Sequence, residues 1–295
     1  MRLAVCLLAV GCVLGFAPRG WSADAPADTT AAPPALDYAS MDKLGWKLSC
    51  QCWTFREKTL FDTIDTLKKL GIRYIEMFPG QRLSKDIPAG FDQNLSSENV
   101  DMVLQKLKDA GITAMNFGVT GIPGNERDAR KLFDFAKKMG LKTIVSEPGE
   151  DQFAMIDKLC QEYNINVAIH DHPKPSHYWN PDTVLKVCAA RSNHIGSCAD
   201  TGHWYRSGLV PIDCLKKLKG RIISLHFKDL SLQKQDVPWG TGVCDARGML
   251  DELKSQGFPF VFSIEYESTS GDVLYNNVEK CVQWFSTQAT ELAAQ

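Results

Sequence analysis

The stretch IGSCADTGH at residues 195–203 and the stretch IISLHFKD at residues 222–229 share one pattern, a short apolar run that ends in polar residues. A short apolar run bounded in this way predicts a buried β-strand. Between the two stretches, Leu215 and Leu218 have helical spacing. The order strand, helix, strand predicts two parallel strands, because parallel neighbours need a long crossover connection.

This alternation of strand and helix repeats along the whole chain. The strands are predicted at residues 47–53, 74–78, 112–117, 143–146, 167–170, 195–199, 222–227 and 260–266. Several of the intervening helical segments close with glycine, which is typical of a helix C-terminus, at Gly71, Gly111, Gly140, Gly220 and Gly257. Eight such units in about 250 residues predict a single-domain α/β fold, the (β/α)8 TIM barrel. An open doubly wound sheet is the alternative.

The composition excludes several classes of protein. The chain has 295 residues, of which 44% are hydrophobic, and its 33 Lys+Arg nearly balance its 35 Asp+Glu. These values argue against a disordered chain, and the missing basic excess argues against a nucleic-acid binder. The ten cysteines include no CxxC pair after residue 23, so we expect buried free thiols and no zinc-thiolate site.

The N-terminus has the layout of a secretory signal. Arg2 precedes an apolar run from Leu3 to Phe16, and small and polar residues follow it. We therefore predict a signal peptide at 1–23, a flexible leader at 24–43 and the barrel at 44–295, in a secreted or periplasmic protein. The run is shorter than the roughly 20 residues of a membrane span, so no stable span is expected. A permanent anchor and a lipid-modified Cys12 are the alternatives.

Polar side chains follow almost every predicted strand. In a barrel enzyme the carboxyl ends of the strands meet at one active site. Two imidazoles and two carboxylates from the last four strands form a mixed nitrogen and oxygen set suited to Mn²⁺, Zn²⁺, Co²⁺ or Mg²⁺. The predicted ligands of this one divalent ion are His170, Asp200, His226 and Glu265. Glu147, on the strand before His170, is an alternative first ligand, a base or a fifth ligand.

Other residues at the strand ends, and one in the loop after strand seven, are predicted to contact a substrate. They are Trp53, Glu76, His172, His203 and Trp239. Lys228 lies two residues after His226 and so shares its face of the strand, where an ammonium can hold an oxyanion or act as an acid. The glycines of Pro238–Gly242 either bring backbone N–H groups to a ligand or make a turn.

From about Leu44 to Phe285 the chain resembles the sugar phosphate isomerase/epimerase family, also called the xylose isomerase-like TIM barrel superfamily. The resemblance rests on the Asp-Thr-Gly-His run at 200–203, the Leu-His-Phe-Lys-Asp run at 225–229 and Glu265 in the last strand. It implies that a divalent metal binds the oxygens of a small carbohydrate and that two glutamates, on strands five and eight, exchange a proton. Glu265 matches the glutamate of strand eight, whereas His170 stands at the place on strand five.

We therefore expect an exported, metal-dependent sugar isomerase or epimerase that works through an enediolate, with Glu147, Glu265 and Lys228 as catalytic residues. The run from His170 to His172 looks more like the inosose dehydratase branch, so a metal-dependent lyase or dehydratase of a keto-sugar or keto-glycoside is the alternative. A non-catalytic carbohydrate-binding barrel is a third. The superfamily also contains apurinic endonucleases with three zinc ions, but all six histidines lie between 170 and 226, so we expect no nucleic-acid partner.

Overall fold

Eight parallel strands form the centre of the protein. The computed structural model describes residues 35–257 and 259–295. The barrel strands are β1 (Lys47–Gln51), β2 (Tyr74–Met77), β3 (Thr113–Phe117), β4 (Thr143–Ser146), β5 (Asn166–His170), β6 (Ile195–Asp200), β7 (Ile222–Phe227) and β10 (Val261–Ile264). Two short strands, β8 (Asp229–Leu230) and β9 (Asp236–Val237), form an antiparallel hairpin after β7.

The eight strands close into a ring in the order β1, β10, β7, β6, β5, β4, β3, β2. The first and last strands pair in parallel, with Cys50 opposite Ile264. The predicted (β/α)8 barrel is therefore confirmed, and the open doubly wound sheet is excluded. All eight predicted strands are present, with ends that differ by up to two residues.

Helices on the outside connect successive strands. Their bounds are α1 (Tyr38–Leu44), α2 (Leu60–Lys69), α3 (Ser97–Ala110), α4 (Glu126–Lys138), α5 (Phe153–Tyr163), α6 (Pro181–Cys188), α7 (Thr201–Arg206), α8 (Pro211–Lys217), α9 (Ala246–Gln256) and α10 (Gly271–Ala294). Short 3₁₀ turns cover Cys52–Phe55 and Glu150–Gln152. All five glycines predicted at helix ends have a positive φ. Among the described residues, no helix is long and apolar enough to cross a membrane.

Helix α1 corrects the predicted boundary between leader and barrel. The sequence prediction starts the folded part at Leu44, but an ordered helix begins at Tyr38. Asp37 caps this helix, its backbone N–H donates to Ser286 of α10 at 2.8 Å, and the side chain of Met41 is fully buried. Apolar burial against α10 holds the segment in place. The predicted signal peptide and the leader up to residue 34 lie outside the described residues.

The core lies between the strands and the surrounding helices. Phe262 of β10 lies 5.0 Å from the ring of Trp46 and 4.9 Å from that of Phe285 of α10, centroid to centroid. All eight cysteines of the described part are buried free thiols, as predicted: Cys50, Cys52, Cys160, Cys188, Cys198, Cys214, Cys244 and Cys281. This outer core leaves the carboxyl ends of the strands free to carry polar side chains.

Candidate functional site

Four buried side chains meet at the carboxyl end of the barrel. His170 ends β5, Asp200 ends β6, His226 lies near the end of β7, and Glu265 directly follows β10. One ligand atom from each lies within 4.8 Å of the ligand atoms of the other three. His226 Nδ1 is 3.2 Å from Glu265 Oε2 and 3.9 Å from Asp200 Oδ2. The structure thus brings together all four predicted metal ligands, which we call the four-residue cluster.

The two oxygens of the Asp200 carboxylate have different surroundings. Asp200 is the N-cap of α7, and its Oδ1 accepts a hydrogen bond from the backbone N–H of His203 at 2.7 Å. Its Oδ2 faces the cluster, 3.7 Å from His170 Nε2. The helix cap therefore fixes the orientation that points Oδ2 inward.

A buried carboxylate orients His226. Glu76 Oε1 accepts a hydrogen bond from His226 Nε2 at 2.8 Å, so the other ring nitrogen, Nδ1, faces the cluster. Three further donors occupy the carboxylate of Glu76, namely Gln51 Nε2 at 3.0 Å, Asn116 Nδ2 at 3.1 Å and Ser263 Oγ at 2.6 Å. Because Glu76 is fully buried and its oxygens are all engaged, the structure supports an orienting role for it rather than the predicted substrate contact.

A second carboxylate orients His170 in the same way. Glu147 Oε1 lies 3.1 Å from His170 Nδ1 and also contacts the ring of His172, while Oε2 accepts from Ser176 Oγ at 2.9 Å. Burial opposes ionisation of Glu147, but the hydrogen bonds from both histidines outweigh it and hold its pKa well below the usual range. Both oxygens of Glu147 are thus engaged outside the cluster, which supports an orienting role rather than the predicted base or fifth ligand.

The cluster contains buried lone pairs that the described residues leave without a hydrogen bond. They belong to His170 Nε2 and His226 Nδ1. Both face Asp200 Oδ2, which the ammonium of Lys228 also contacts at 3.0 Å. Buried polar atoms are normally paired, so two unpaired imidazole nitrogens that face the same carboxylate oxygen fit a bound cation. The mixture of imidazole and carboxylate suits a divalent transition metal or Mg²⁺. The donor set therefore fits the single divalent ion that the sequence predicts.

Lys228 brings a positive charge to the edge of the cluster. Its Nζ lies 3.0 Å from Asp200 Oδ2, 2.8 Å from Glu265 Oε2 and 2.7 Å from Glu267 Oε2, and the side chain is almost fully buried. Lys228 and two predicted ligands thus form one charge network.

A cavity of about 410 Å³ opens beside the cluster. Its lining residues are Gln51, Trp53, Phe78, Pro79, Gly118, Val119, His172, His203, Glu265 and Glu267. Trp53 is 41% exposed, and its ring meets Phe78 edge to face at 5.2 Å. Three of the five predicted substrate contacts, Trp53, His172 and His203, therefore line this cavity. One wall is apolar and the other carries imidazole and carboxylate groups.

The sequence predicts Trp239 as a substrate contact, but the structure places its ring in the core. It is 2% exposed, and its ring lies 4.9 Å from Phe227 and 5.9 Å from Phe285. The ring therefore packs in the core between β7 and α10.

The loop Pro238–Gly242 is organised by Asp229. The backbone N–H groups of Gly240 and Gly242 donate to Asp229 Oδ2 at 2.9 and 2.8 Å, and those of Leu230 and Cys244 donate to Oδ1 at 3.0 and 3.1 Å. These amides are already paired, so the glycines make a turn and do not form the ligand cradle that the sequence left open.

Gln51 and Glu267 line the cavity but have no predicted role. The predicted first strand extended to Trp53, whereas β1 ends at Gln51, whose amide also donates to the carbonyl of Gly118 at 2.8 Å. Correct alternation from the strand end would have found Gln51. Glu267 lies two residues after Glu265, just as Lys228 lies two residues after His226. The spacing that identified Lys228 would therefore also have identified Glu267.

Comparisons with known proteins agree with this geometry. Residues 64–286 match a family model described as xylose isomerase-like TIM barrel. No curated protein matches the chain. A solved structure of an uncharacterised protein from Parabacteroides distasonis is 35% identical, with a TM-score of 0.69 over 82% of this chain and 99% of that one.

Two more distant solved structures share the fold. The probable 3-DHS dehydratase AsbF from Bacillus anthracis is 17% identical, with a TM-score of 0.63 over 81% of this chain and 98% of that one. The 3-keto-D-glucoside 4-epimerase YcjR from E. coli is 13% identical, with a TM-score of 0.59 over 82% of this chain and 99% of that one. At these identities the likeness shows the fold alone.

Proposed function

The chain belongs to the xylose isomerase-like TIM barrel family, and on that premise we propose that it is a divalent-metal-dependent isomerase or epimerase of a small carbohydrate that works through an enediolate. The observation that carries the proposal is the pair of unpaired buried nitrogens on His170 and His226, which lie with Asp200 and Glu265 next to a cavity of sugar size.

His170, Asp200, His226 and Glu265 would hold the ion. When bound there, it supplies a Lewis acid that polarises a sugar carbonyl and acidifies the adjacent C–H bond. Glu76 and Glu147 keep the lone pairs of the two histidines directed to the same point. Orienting carboxylates of this kind raise the basicity of histidine ligands.

The residues that line the cavity bind the sugar and move its proton. The carboxylate of Glu265 borders the cavity and takes the proton from the carbon next to the carbonyl. The Lys228 ammonium stabilises the negative charge that develops on oxygen, and Glu267 holds that ammonium at 2.7 Å. The exposed face of Trp53 packs against the apolar face of the ring.

A lyase or dehydratase remains the second candidate because of one observation. A two-carboxylate proton exchange needs a second free base opposite Glu265, but His170 stands on β5 and the oxygens of Glu147 are engaged. One base and the acid Lys228 suit the elimination of a β-substituent, in which the same carbanion expels the leaving group. The solved folds with low identity include an epimerase and a dehydratase.

Turnover in D₂O separates these possibilities. The metal-loaded protein is incubated with a panel of ketoses and a 3-keto-glycoside, with chelated protein as the control. Solvent deuterium in an isomeric product supports the isomerase, and a released aglycone or a water-loss product supports the lyase. Sugar binding without turnover by either form would overturn both and leave a carbohydrate-binding protein.

We also propose that the protein is exported, on the basis of Arg2 and the apolar run that follows it. Expression of the full chain in a bacterium, followed by fractionation and N-terminal sequencing of the product, tests this. A mature protein in the periplasm that begins near residue 24 is expected. An unprocessed chain in the cytosol would contradict the proposal.

A further inference from the structure

Arg206 joins three polar groups beside the cavity. It lies one turn after His203 on α7, and its Nη1 is 3.0 Å from His203 Nδ1. Its Nη2 donates to the buried Asp236 Oδ1 at 3.1 Å, and Nη1 is 3.6 Å from Glu267 Oε2. Asp236 Oδ2 in turn accepts from the backbone N–H of Glu267 at 3.1 Å. The guanidinium is therefore held in one orientation.

The contact between Arg206 and His203 fixes where the imidazole carries its proton. A guanidinium has five N–H donors and no acceptor. His203 Nδ1 must therefore accept the hydrogen bond, and it can do so only without a proton of its own. The ring is then neutral and carries its hydrogen on Nε2, which lies 3.5 Å from Asp200 Oδ2 at the cavity wall.

The three histidines closest to the centre thus present different atoms. His170 and His226 donate their outer nitrogens to Glu147 and Glu76 and present lone pairs to the cluster. His203 accepts through its outer nitrogen and presents an N–H group. Although its ring lies close to Glu265 and Glu267, His203 has no inward lone pair and does not serve as a metal ligand.

We propose that Arg206 is a positioning residue that locks His203 into the Nε2–H tautomer, so that His203 donates a hydrogen bond to an oxygen of the substrate that becomes negative during the reaction. The assignment of the tautomer follows from the structure alone, whereas the hydrogen bond to a substrate oxygen rests on the proposed function. A neutral donor oriented in advance lowers the energy of an oxyanion without reorganisation in the reaction. This role differs from that of Lys228, which supplies charge.

The first test is the ¹⁵N spectrum of the histidines in the zinc-loaded protein without substrate. A difference spectrum against His203→Gln identifies the signals of His203. We expect the protonated pattern at Nε2 and the lone-pair pattern at Nδ1. A proton on Nδ1, or on both nitrogens, would overturn the proposal whether or not the protein turns over any sugar.

The second test uses Arg206→Met and Arg206→Lys. In the Met variant the fixed Nε2–H pattern of His203 is lost, kcat falls about tenfold to a hundredfold, and the zinc content stays at the wild-type level. The Lys variant keeps one donor and is expected to keep more of both the tautomer and kcat. An unchanged tautomer in both variants would refute the positioning role, even if kcat fell.

Arg130→Met is the matched control. Arg130 also makes two ion pairs, with Glu126 and Glu162, but it does not line the cavity. Its loss is expected to leave the His203 spectrum and kcat unchanged. If the wild type shows the expected tautomer but converts no sugar, the proposed function fails while the tautomer assignment stands.

Discussion

Glu76 and His226 are separated by 150 positions in the sequence, yet a hydrogen bond of 2.8 Å joins Glu76 Oε1 to His226 Nε2 inside the barrel. Both side chains are fully buried. Glu147 makes the equivalent contact to Nδ1 of His170 at 3.1 Å. In each pair the carboxylate holds the outer ring nitrogen, and the inner one faces Asp200.

The first prediction concerns these two carboxylates. Glu76→Gln and Glu147→Gln are each expected to weaken metal affinity by about 10-fold to 100-fold, because the histidine loses the negatively charged partner that sets its tautomer and basicity. Competition with a chromogenic chelator measures the affinity. Glu150→Gln is the control, since Glu150 contacts His177 at 2.9 Å in an exposed pair. Equal affinities in all three variants would count against the proposed centre.

The second prediction concerns a ligand itself. His226→Ala is expected to abolish stoichiometric metal, because it removes one of only four donors and leaves Glu76 buried without its imidazole partner. Elemental analysis of the purified protein measures the metal content, with His177→Ala as the control. Undiminished manganese or zinc in His226→Ala would refute the ligand assignment.

Lys228 gives the third prediction. Its ammonium contacts Asp200 Oδ2 and Glu265 Oε2, so it competes with a divalent ion for those oxygens. Lys228→Met is expected to raise metal affinity about tenfold or more and to lower turnover, because a repelling charge and an oxyanion partner are lost together. Lys186→Met, which removes an exposed lysine paired with Glu150, is the control. Weaker metal binding in Lys228→Met would contradict this account.

The strand ends were predictable because they obey a simple periodicity. In a barrel, every strand sends alternate residues inward, so the polar residues at the ends of β5, β6, β7 and β10 had to converge. His170, Asp200, His226 and Glu265 do so. The sequence could not show which carboxylates face the centre and which stand behind a histidine, because that depends on barrel register: Glu76 reaches His226 only across the closed ring.

Two further differences between the sequence prediction and the structure have physical causes. Trp239 lies in a loop whose path is set by the buried carboxylate of Asp229, a long-range arrangement that has no local sequence signal. Helix α1 has only 7 residues, too few for a stable isolated helix, so its order comes from packing against α10 rather than from helix propensity. In both cases tertiary contacts decide the local structure.

The fourth prediction separates the two tryptophans. Trp53→Ala is expected to raise KM about tenfold with unchanged metal content, because an exposed ring at the cavity wall is lost. Trp239→Ala is expected to lower the free energy of unfolding by about 3–5 kcal/mol through the void it leaves in the core. Kinetics and denaturant unfolding of both variants check this. A stable Trp239→Ala with a raised KM would reverse the assignment.

The fifth prediction concerns pH and the attachment of α1. The Tyr38 hydroxyl donates to the carbonyl of Gly71 at 2.6 Å, and burial raises the pKa of Tyr38 to about 12. A raised pKa means that the unfolded chain ionises first, so stability from this group is present below pH 10 and is lost as the pH rises to about 12. The loss amounts to about 2–3 kcal/mol. In Tyr38→Phe, the free energy of unfolding should fall less between pH 10 and pH 12 than in the wild type. An identical fall in both proteins would contradict the prediction.

The pairing of β1 with β10 bears on how the protein is made. Gln51 lies at the end of the first barrel strand, and Glu265 directly follows the last. The carboxylates that orient the two histidines are synthesised early, whereas Glu265 is synthesised late. The site therefore cannot form stepwise while the chain grows. Contacts over such long sequence separations form slowly. The four-residue cluster is complete only when the ring has closed, so binding of the proposed metal would report completed folding.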